Sequence, residues 1–262
     1  MATAIENVPL AADMKQFEAF TKTLTRLGYR WKAGIVNSAL HGSPQCRQRL
    51  VVVGFRGDLR IEPEIGQPTH GRRGKYYSYR YSKMMKVKDD PIGMLGDTPA
   101  ARRVRDIVNF HEIDPGPRKI PTVGAALSGL PRVGTREAVA LAHVPWEHTK
   151  TLLRRMDSVR EGERWKGGDD HFSQSYGRLH RRGLARTITT YFPNPGSGRY
   201  WHPIRNRTLT LREAARLQGF PDTFRFIEPI GRGAKLVGNA LDARVADLIF
   251  RAIDQKINGH RA

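Results

Sequence analysis

The sequence has little cysteine, a shortage of acid and no long apolar run, and each shortage excludes something. Cys46 is the sole cysteine in 262 residues, so no disulfide can close within the chain, and no CxxC or Cys/His spacing suggests zinc. The nine histidines are scattered. Gly168-Asp169-Asp170-His171 reads as a solvated loop, and no metal is expected. No apolar stretch approaches the roughly 20 residues that a membrane-spanning helix needs. The opening MATAIENVPL has no basic segment followed by a long apolar one, so neither secretion nor membrane insertion is expected. Asp and Glu number 25 against 45 Lys and Arg, a formal net charge of +20. Such an excess favours a polyanionic partner, because Lys and Arg that neutralise phosphates supply most non-specific affinity for nucleic acid.

What is present reads first as an α/β pattern. Residues 3 to 8 suit a short strand that ends in Glu6-Asn7 and is stopped by Pro9. Ala12 to Leu27 follow as an amphipathic helix, with Phe17, Phe20, Leu24 and Leu27 at helical spacing and Gly28 as its stop. Tyr29 to Val36 form a second strand and Arg49 to Phe55 a third, whose near-continuous apolar run is that of a strand buried on both faces. From Arg56 to Arg118, proline, glycine and charge dominate, with one helix expected over Pro99 to Phe110. Basic and aromatic residues interleave from Arg72 to Lys83, a pattern that serves phosphate contact and base stacking or equally a solvated edge. Short helices are expected at Ile120 to Leu130 and Glu147 to Met156, a mobile polar stretch at Ser158 to Ser175, and basic strand-like segments over residues 176 to 205. Gly231, Gly233 and Gly238 imitate a phosphate loop, but no Gly-Lys-Ser/Thr follows and the dinucleotide context is missing. Asn239 to Ile257 close the chain as an amphipathic helix.

The most distinctive stretch is Arg207 to Phe224, RTLTLREAARLQGFPDTF. Thr210 and Glu213 stand at capping-box spacing, Gly219 and Pro221 end the helix, and Leu211, Ala214, Ala215 and Leu217 make a small apolar stripe. Arg212, Arg216 and Gln218 remain for polar contacts. Two other clusters bear on chemistry. Glu6 lies at the carboxyl end of a strand, where open α/β sheets bind ligands, although an exposed turn carboxylate fits the same position. Gln45, Arg47 and Arg49 alternate at strand spacing, which turns them to one side as a hydrogen-bonding fork and Cys46 to the other; a plain basic edge is the alternative.

Taken together these residues resemble the DNA cytosine-5 methyltransferases. Glu6-Asn7-Val8-Pro9 is similar to motif VI of that family, and Gln45-Cys46-Arg47-Gln48-Arg49 to motif VIII. Thr122 to Pro131 resembles the segment after motif VIII, and Arg186 to Thr190 the Thr-Ile region of the target recognition domain. His202-Pro203 with Arg207 to Pro221 resembles motif IX, and Gly238-Asn239-Ala240 the start of motif X. The motifs run in family order. The resemblance implies a partial Rossmann-like methyltransferase sheet, three strands of it, plus a smaller, mainly β target recognition domain. The implied division is residues 1–60 for the catalytic half, 61–233 for an insertion (about 70–118), the recognition domain and motif IX, and 234–262 for motif X and a closing helix.

The family's chemistry flips a cytosine out of the duplex, adds a thiolate to C6 and transfers methyl from S-adenosylmethionine to C5. Carried over, the Glu that steadies N3 is Glu6 and the Arg that holds O2 is Arg49, with Arg47 and Gln45 in support. Cofactor contacts fall on Asn239, Ala240 and Leu241, and double-stranded DNA contacts on Arg178, Arg181, Arg182, Arg186, Thr187 and Thr189. The Gly-rich motif I and the Pro-Cys nucleophile, which precede motif VI in the family, have no counterpart, and Cys46 occupies a variable position. The expectation is therefore a split enzyme, inactive alone, completed by a complementary N-terminal subunit that carries motif I and the nucleophile. The motif VI strand would leave a bare edge toward that subunit. A truncated reading frame, or a non-catalytic DNA-binding descendant, are the alternatives. A cytoplasmic, nucleoid-associated setting in a bacterial or phage-like restriction-modification system follows from the same resemblance.

Overall fold

The computed structural model describes residues 1–72, 118–167, 175–227 and 230–261. They fall into two compact units, one of Met1–Gly42, Gln48–Lys119 and Arg244–Ala262, the other of Ser43–Arg47 and Ile120–Ala243. The helix expected over Pro99 to Phe110, the basic and aromatic run from Lys75 to Lys83, nearly all of the expected insertion and the Gly168 to His171 loop lie outside the described residues. Among the described residues no helix is long and apolar enough to cross a membrane, and no group of three or more His, Cys, Asp or Glu could hold a metal ion.

The first unit is built on three strands, β1 (Ala2–Asn7), β2 (Tyr29–Asn37) and, after the short β3 (Gln45–Cys46) of the other unit, β4 (Gln48–Arg56). The sheet order is β1-β4-β2 and both pairings are antiparallel. The apolar run of β4 is buried because β4 is the central strand, not because its neighbours run parallel. Leu50 and Val52 face α1 (Lys15–Arg26), where they pack with Ala11, Ala12 and Leu24. Val51, Val53 and Phe55 alternate to the opposite face and are equally buried. On that face Ile65 lies so close to Gly34 that a Cβ there would stand 2.7 Å from its Cδ1. Leu248 of the closing helix α7 (Ala243–Arg261) packs as tightly on Gly66, and Lys256 of that helix pairs with Glu64 at 2.8 Å. A two-stranded parallel pair, β5 (His70–Arg72) with β6 (Arg118–Lys119), completes the unit. Leu27, expected on the buried stripe of α1, is its C-cap and is exposed.

Within the sheet β1 pairs only with β4 among the described residues. Around its other edge Ile5, Val8, Leu10 and Met14 are all 40 % exposed or more. Ile5, Asn7, Met14 and Phe17 line a groove of about 230 Å³ over Leu50 and Val52.

The second unit corrects the expectation of a mainly β domain. It holds α2 (Val123–Leu127), α3 (Arg136–Ala140), α4 (Lys150–Asp157), α5 (Leu211–Leu217) and α6 (Ile230–Asn239), and among the described residues its strands are β3 and β7 (Ala185–Arg186), paired in parallel. The basic stretch over 176 to 205 is mostly loop tied by isolated bridges, among them Arg178 with Trp201. Its β-branched residues satisfy their backbone groups through side chains rather than through a ladder. The glycine-containing segment before residue 239 is a helix, and the closing helix starts at Ala243 rather than at Asn239. In α6, Gly233 sits where a Cβ would stand 2.5 Å from Leu211 Cδ2, so it permits close helix packing rather than phosphate binding. The unit boundaries also differ from those expected, since Ser43–Arg47 and α6 belong with Ile120–Ala243. The core of this unit surrounds α5, whose Leu211, Ala214, Ala215 and Leu217 are fully buried with Val123, Ile188, Phe192 and Val237.

Candidate functional site

Glu6 and Arg49 come together in the first unit. The β1–β4 register sets Glu6 opposite Val51, and Arg49, two residues from Val51, shares its face of the sheet, so the two side chains are diagonal cross-strand neighbours. Arg49 Nε lies 2.6 Å from Glu6 Oε1, with side chains 13 % and 27 % exposed. Arg49 Nη1 donates to the Gln48 carbonyl at 2.7 Å, and among the described residues Nη2 has no partner. Burial lowers the guanidinium pKa while Glu6 raises it again, so the group stays cationic. A partly buried guanidinium beside a carboxylate can offer a donor and an acceptor to two adjacent edges of a planar heterocycle.

Gln45 and Arg47 take a different part, which corrects the picture of a three-residue fork. Both are buried in the second unit, and neither is presented to a ligand. Gln45 Nε2 donates to the Leu217 carbonyl at 3.1 Å and to Gln218 Oε1, while its own Oε1 accepts from the Ile188 amide at 3.0 Å. Arg47 donates to the carbonyls of Ile188 at 2.9 Å, Gly238 at 3.0 Å and Ala240 at 2.9 Å. Three carbonyls that would otherwise be buried unpaired are thus met by one planar cation, which ties the Thr187–Thr190 loop to the end of α6. Cys46 is half-buried and its carbonyl accepts from Thr187 Oγ1 at 3.1 Å.

Asn239 is exposed at the end of α6, and Ala240 and Leu241 are half-buried. The Ala240 carbonyl is taken by Arg47 and Gln218. Two residues whose role here the sequence did not reveal complete this junction. Gln218 links Gln45 to Ala240. Gly238 is needed because a Cβ there would stand 2.3 Å from Thr190 N and 2.5 Å from the Thr189 carbonyl carbon. A glycine inside a helix, which costs stability unless something needs the space, was the available signal for the second.

The residues expected to meet DNA divide by burial. Arg178 is 4 % exposed and its guanidinium donates to the carbonyls of Val159, His202, Arg205 and Met156 and to Asn206 Oδ1. With its donors consumed in the interior it cannot reach a phosphate, and its expected DNA contact is withdrawn. Arg181 is largely exposed but held by Glu161, with Nε 3.1 Å from both carboxylate oxygens. Arg182 is exposed and its side chain makes no hydrogen bond or ion pair among the described residues. Burial lowers the pKa of half-buried Arg186, with Cys46 and Tyr200 opposing. Thr187 and Thr189 are half-buried on a loop held by Tyr200, whose hydroxyl donates to the Thr187 carbonyl at 2.9 Å and lies 3.3 Å from Thr189 Oγ1.

α5 carries the expected capping box, with Thr210 Oγ1 accepting from the Glu213 amide and Glu213 Oε2 from the Thr210 amide at 2.8 Å. Its polar residues are not free. Arg212 is fully buried and caps the carbonyls of Leu141, Pro221 and Phe224. Glu213 receives Arg207 in a two-pronged contact at 2.6 and 2.7 Å. Burial pushes the Glu213 carboxyl up, yet Arg207 and His202 hold it below the ordinary range. His202 is lowered to about 4, by burial first and by neighbouring arginines, against the pull of Glu213. Its Nδ1 accepts from the Ile204 and Arg205 amides, which suits the neutral ring. α5 is therefore a buried strut without a reactive group.

With this geometry in hand, residues 2–255 match a family model described as C-5 cytosine-specific DNA methylase. A type II methyltransferase of Bacillus paralicheniformis is 48 % identical over 287 residues, covering 99 % of this chain and 61 % of that protein. A type II methylase of Herpetosiphon aurantiacus is 28 % identical over 276 residues, covering 98 % and 65 %. The chain thus spans less than two thirds of the length of these curated relatives. Among solved structures, a putative DNA modification methyltransferase encoded within an E. coli prophage superposes with a TM-score of 0.63 at 21 % identity, covering 98 % of this chain and 70 % of that one. The S. pombe Dnmt2 methyltransferase gives 0.57 at 13 %, covering 98 % and 67 %. At these identities the superpositions speak for the fold alone.

Proposed function

The chain belongs to the C-5 cytosine-specific DNA methylase family, and on that premise we propose that it supplies the cytosine-holding pair and the DNA-recognition part of an S-adenosylmethionine-dependent DNA cytosine-5 methyltransferase. The observation that carries the proposal is the Glu6–Arg49 pair at 2.6 Å, partly buried with side chains 13 % and 27 % exposed. Glu6 faces N3 of a cytosine turned out of the duplex and Arg49 faces O2. Charge that accumulates on the ring when a thiolate adds to C6 is then met by a fixed guanidinium in a partly desolvated setting, where such a contact is worth more than in water. The pair weighs against a DNA-binding protein without catalysis, in which its only use would be to join β1 to β4.

The thiolate and most of the cofactor pocket are supplied by polypeptide outside these 262 residues, in our reading a complementary subunit. Two features of the first unit support that reading. Among the described residues β1 pairs only with β4, so its other edge is available to another strand. The apolar groove beside it, lined by Ile5, Met14, Phe17, Phe20, Leu50 and Val52 with Ile5 and Met14 exposed, is a surface that a partner can cover. Asn239, Ala240 and Leu241 fit one wall of an S-adenosylmethionine site only, because the Ala240 carbonyl is already engaged by Arg47 and Gln218. The cofactor would bring the transferable methyl group; the residues of this chain would hold the base. A restriction-modification setting in a bacterial or phage-like cytoplasm, close to the nucleoid, fits the same reading.

The test is to mix or co-express the chain with a polypeptide carrying the Gly-rich and Pro-Cys motifs and to measure methyl transfer from labelled S-adenosylmethionine to duplex DNA. Transfer is expected from the mixture and not from this chain alone. Glu6→Gln should reduce it by orders of magnitude while sparing DNA affinity. No transfer from a mixture of folded partners would sink the proposal.

A further inference from the structure

Most aromatic rings of the second unit point inward: Phe192 and Trp201 are fully buried and Tyr200 is 4 % exposed. Tyr191 is 68 % exposed, and among the described residues its hydroxyl has no hydrogen-bond partner. The backbone beneath it is fixed on both sides. The Tyr191 carbonyl accepts from the Asn194 amide at 2.9 Å and from Ser197 Oγ, and its amide lies 3.4 Å from Thr189 Oγ1. Phe192, the next residue, is anchored edge-on against Trp146, with centroids 6.4 Å apart. Upstream, Ile188 is held by Gln45 and Arg47, and Thr189–Thr190 press on Gly238.

A ring with two torsions on an immobilised loop loses little conformational entropy when it is covered, so covering it adds directly to affinity. The chain bears a net charge of +20, and Tyr191 lies two residues after Thr189, one of the threonines expected to meet DNA. Phosphate contact needs cations and hydrogen-bond donors; an aromatic face adds something only against a base. We infer that Tyr191 is a base-stacking residue whose ring covers a base of the target DNA where the duplex opens. The inference rests on the proposed function and deepens it, since turning out one base leaves its neighbours exposed to such a ring.

The experiment uses the full chain and two labelled duplexes, one fully paired and one identical except for a single mismatched pair, in fluorescence anisotropy across a salt series. Wild type should bind the mismatched duplex more tightly. Tyr191→Ala should weaken that binding about five-fold or more and erase the preference, leaving the slope of log K against log salt unchanged because no phosphate contact is lost. Tyr191→Phe should behave as wild type. The side chain is exposed, so an unchanged urea midpoint certifies the fold of each variant. Wild-type binding that is steep in salt but indifferent to Tyr191→Ala overturns the stacking assignment and leaves the proposed function standing. A Phe variant as weak as the Ala variant overturns it as well, because the hydroxyl would then be the contact. If wild type binds neither duplex, both readings fall.

Discussion

Gly238→Ala sets two effects of opposite sign against each other. In a helix interior alanine is favoured over glycine by about 1 kcal/mol, and Gly238 lies in α6. The added Cβ, however, would stand 2.3 Å from Thr190 N and 2.5 Å from the Thr189 carbonyl carbon, where ordinary contacts are about 3.5 Å or more. The obstacle is backbone, so it cannot swing aside like a long side chain. Relief requires the loop to retreat by about 1 Å, and that loop is tied by Gln45 to the Ile188 amide, by Arg47 to the Ile188 carbonyl and by Tyr200 to the Thr187 carbonyl. Overpacking costs about 1–3 kcal/mol, and one or two weakened hydrogen bonds add about 1 kcal/mol each. Subtracting the propensity gain leaves a destabilisation of about 1–4 kcal/mol. Gly231, in the same helix, has nothing within 4 Å of its would-be Cβ, so Gly231→Ala should be neutral or stabilising by up to about 1 kcal/mol. Urea titration followed by tryptophan fluorescence suits the comparison, since Trp146, Trp165 and Trp201 all lie in this unit. Equal midpoints for the two variants would refute the reasoning.

Arg47→Lys should cost about 2–4 kcal/mol in the same titration, because one ammonium cannot serve three separate carbonyls; a wild-type midpoint would contradict that. Arg178→Lys should likewise lower stability and leave the salt slope of DNA binding alone, whereas Arg182→Ala should leave stability alone and reduce that slope by about 1. The opposite pattern would return Arg178 to the DNA surface. Stability should also fall in mild acid. Burial, assisted by His70 for His41 and by arginines for His202, holds each imidazole near 4. Below the unfolded pKa of about 6.5 the unfolded chain takes up protons that these folded rings refuse, so stability present above that pH is lost as pH falls toward 4. At pH 5 each ring should cost about 2 kcal/mol, and a flat profile between pH 7 and 5 in urea titrations would exclude the effect.

The sheet strands, α1 and the capping box of α5 were legible because each depends on local signals: alternation and apolar runs, helical spacing with Gly28 as a stop, and Thr210 with Glu213 three residues on. The Glu6–Arg49 pair could be named from its motifs, but its contact depends on a register that only strand pairing determines. The buried arginines were the main illegible feature. Arg47, Arg178 and Arg212 look like any phosphate-binding residue in a chain so basic, and each spends its donors on interior carbonyls. Loops without a ladder leave carbonyls unpaired, and a distant side chain has to reach them. Likewise α6 was hidden behind its glycines, which read as breakers until the Leu211 and Thr189–Thr190 contacts show why a side chain has no room.

By itself, then, the sequence determined the family and the basic character, and it named Glu6 and Arg49 as the pair proposed to hold the base, because these follow from motif identity and charge. Only the tertiary structure decided which arginines remain outside for DNA and which are interior struts, and that Tyr191 rather than its buried neighbour Phe192 faces water. The physical reason is that burial and hydrogen-bond satisfaction are set by chain segments far apart in sequence, and a side chain's chemistry becomes a function only once its other possible partners have been met.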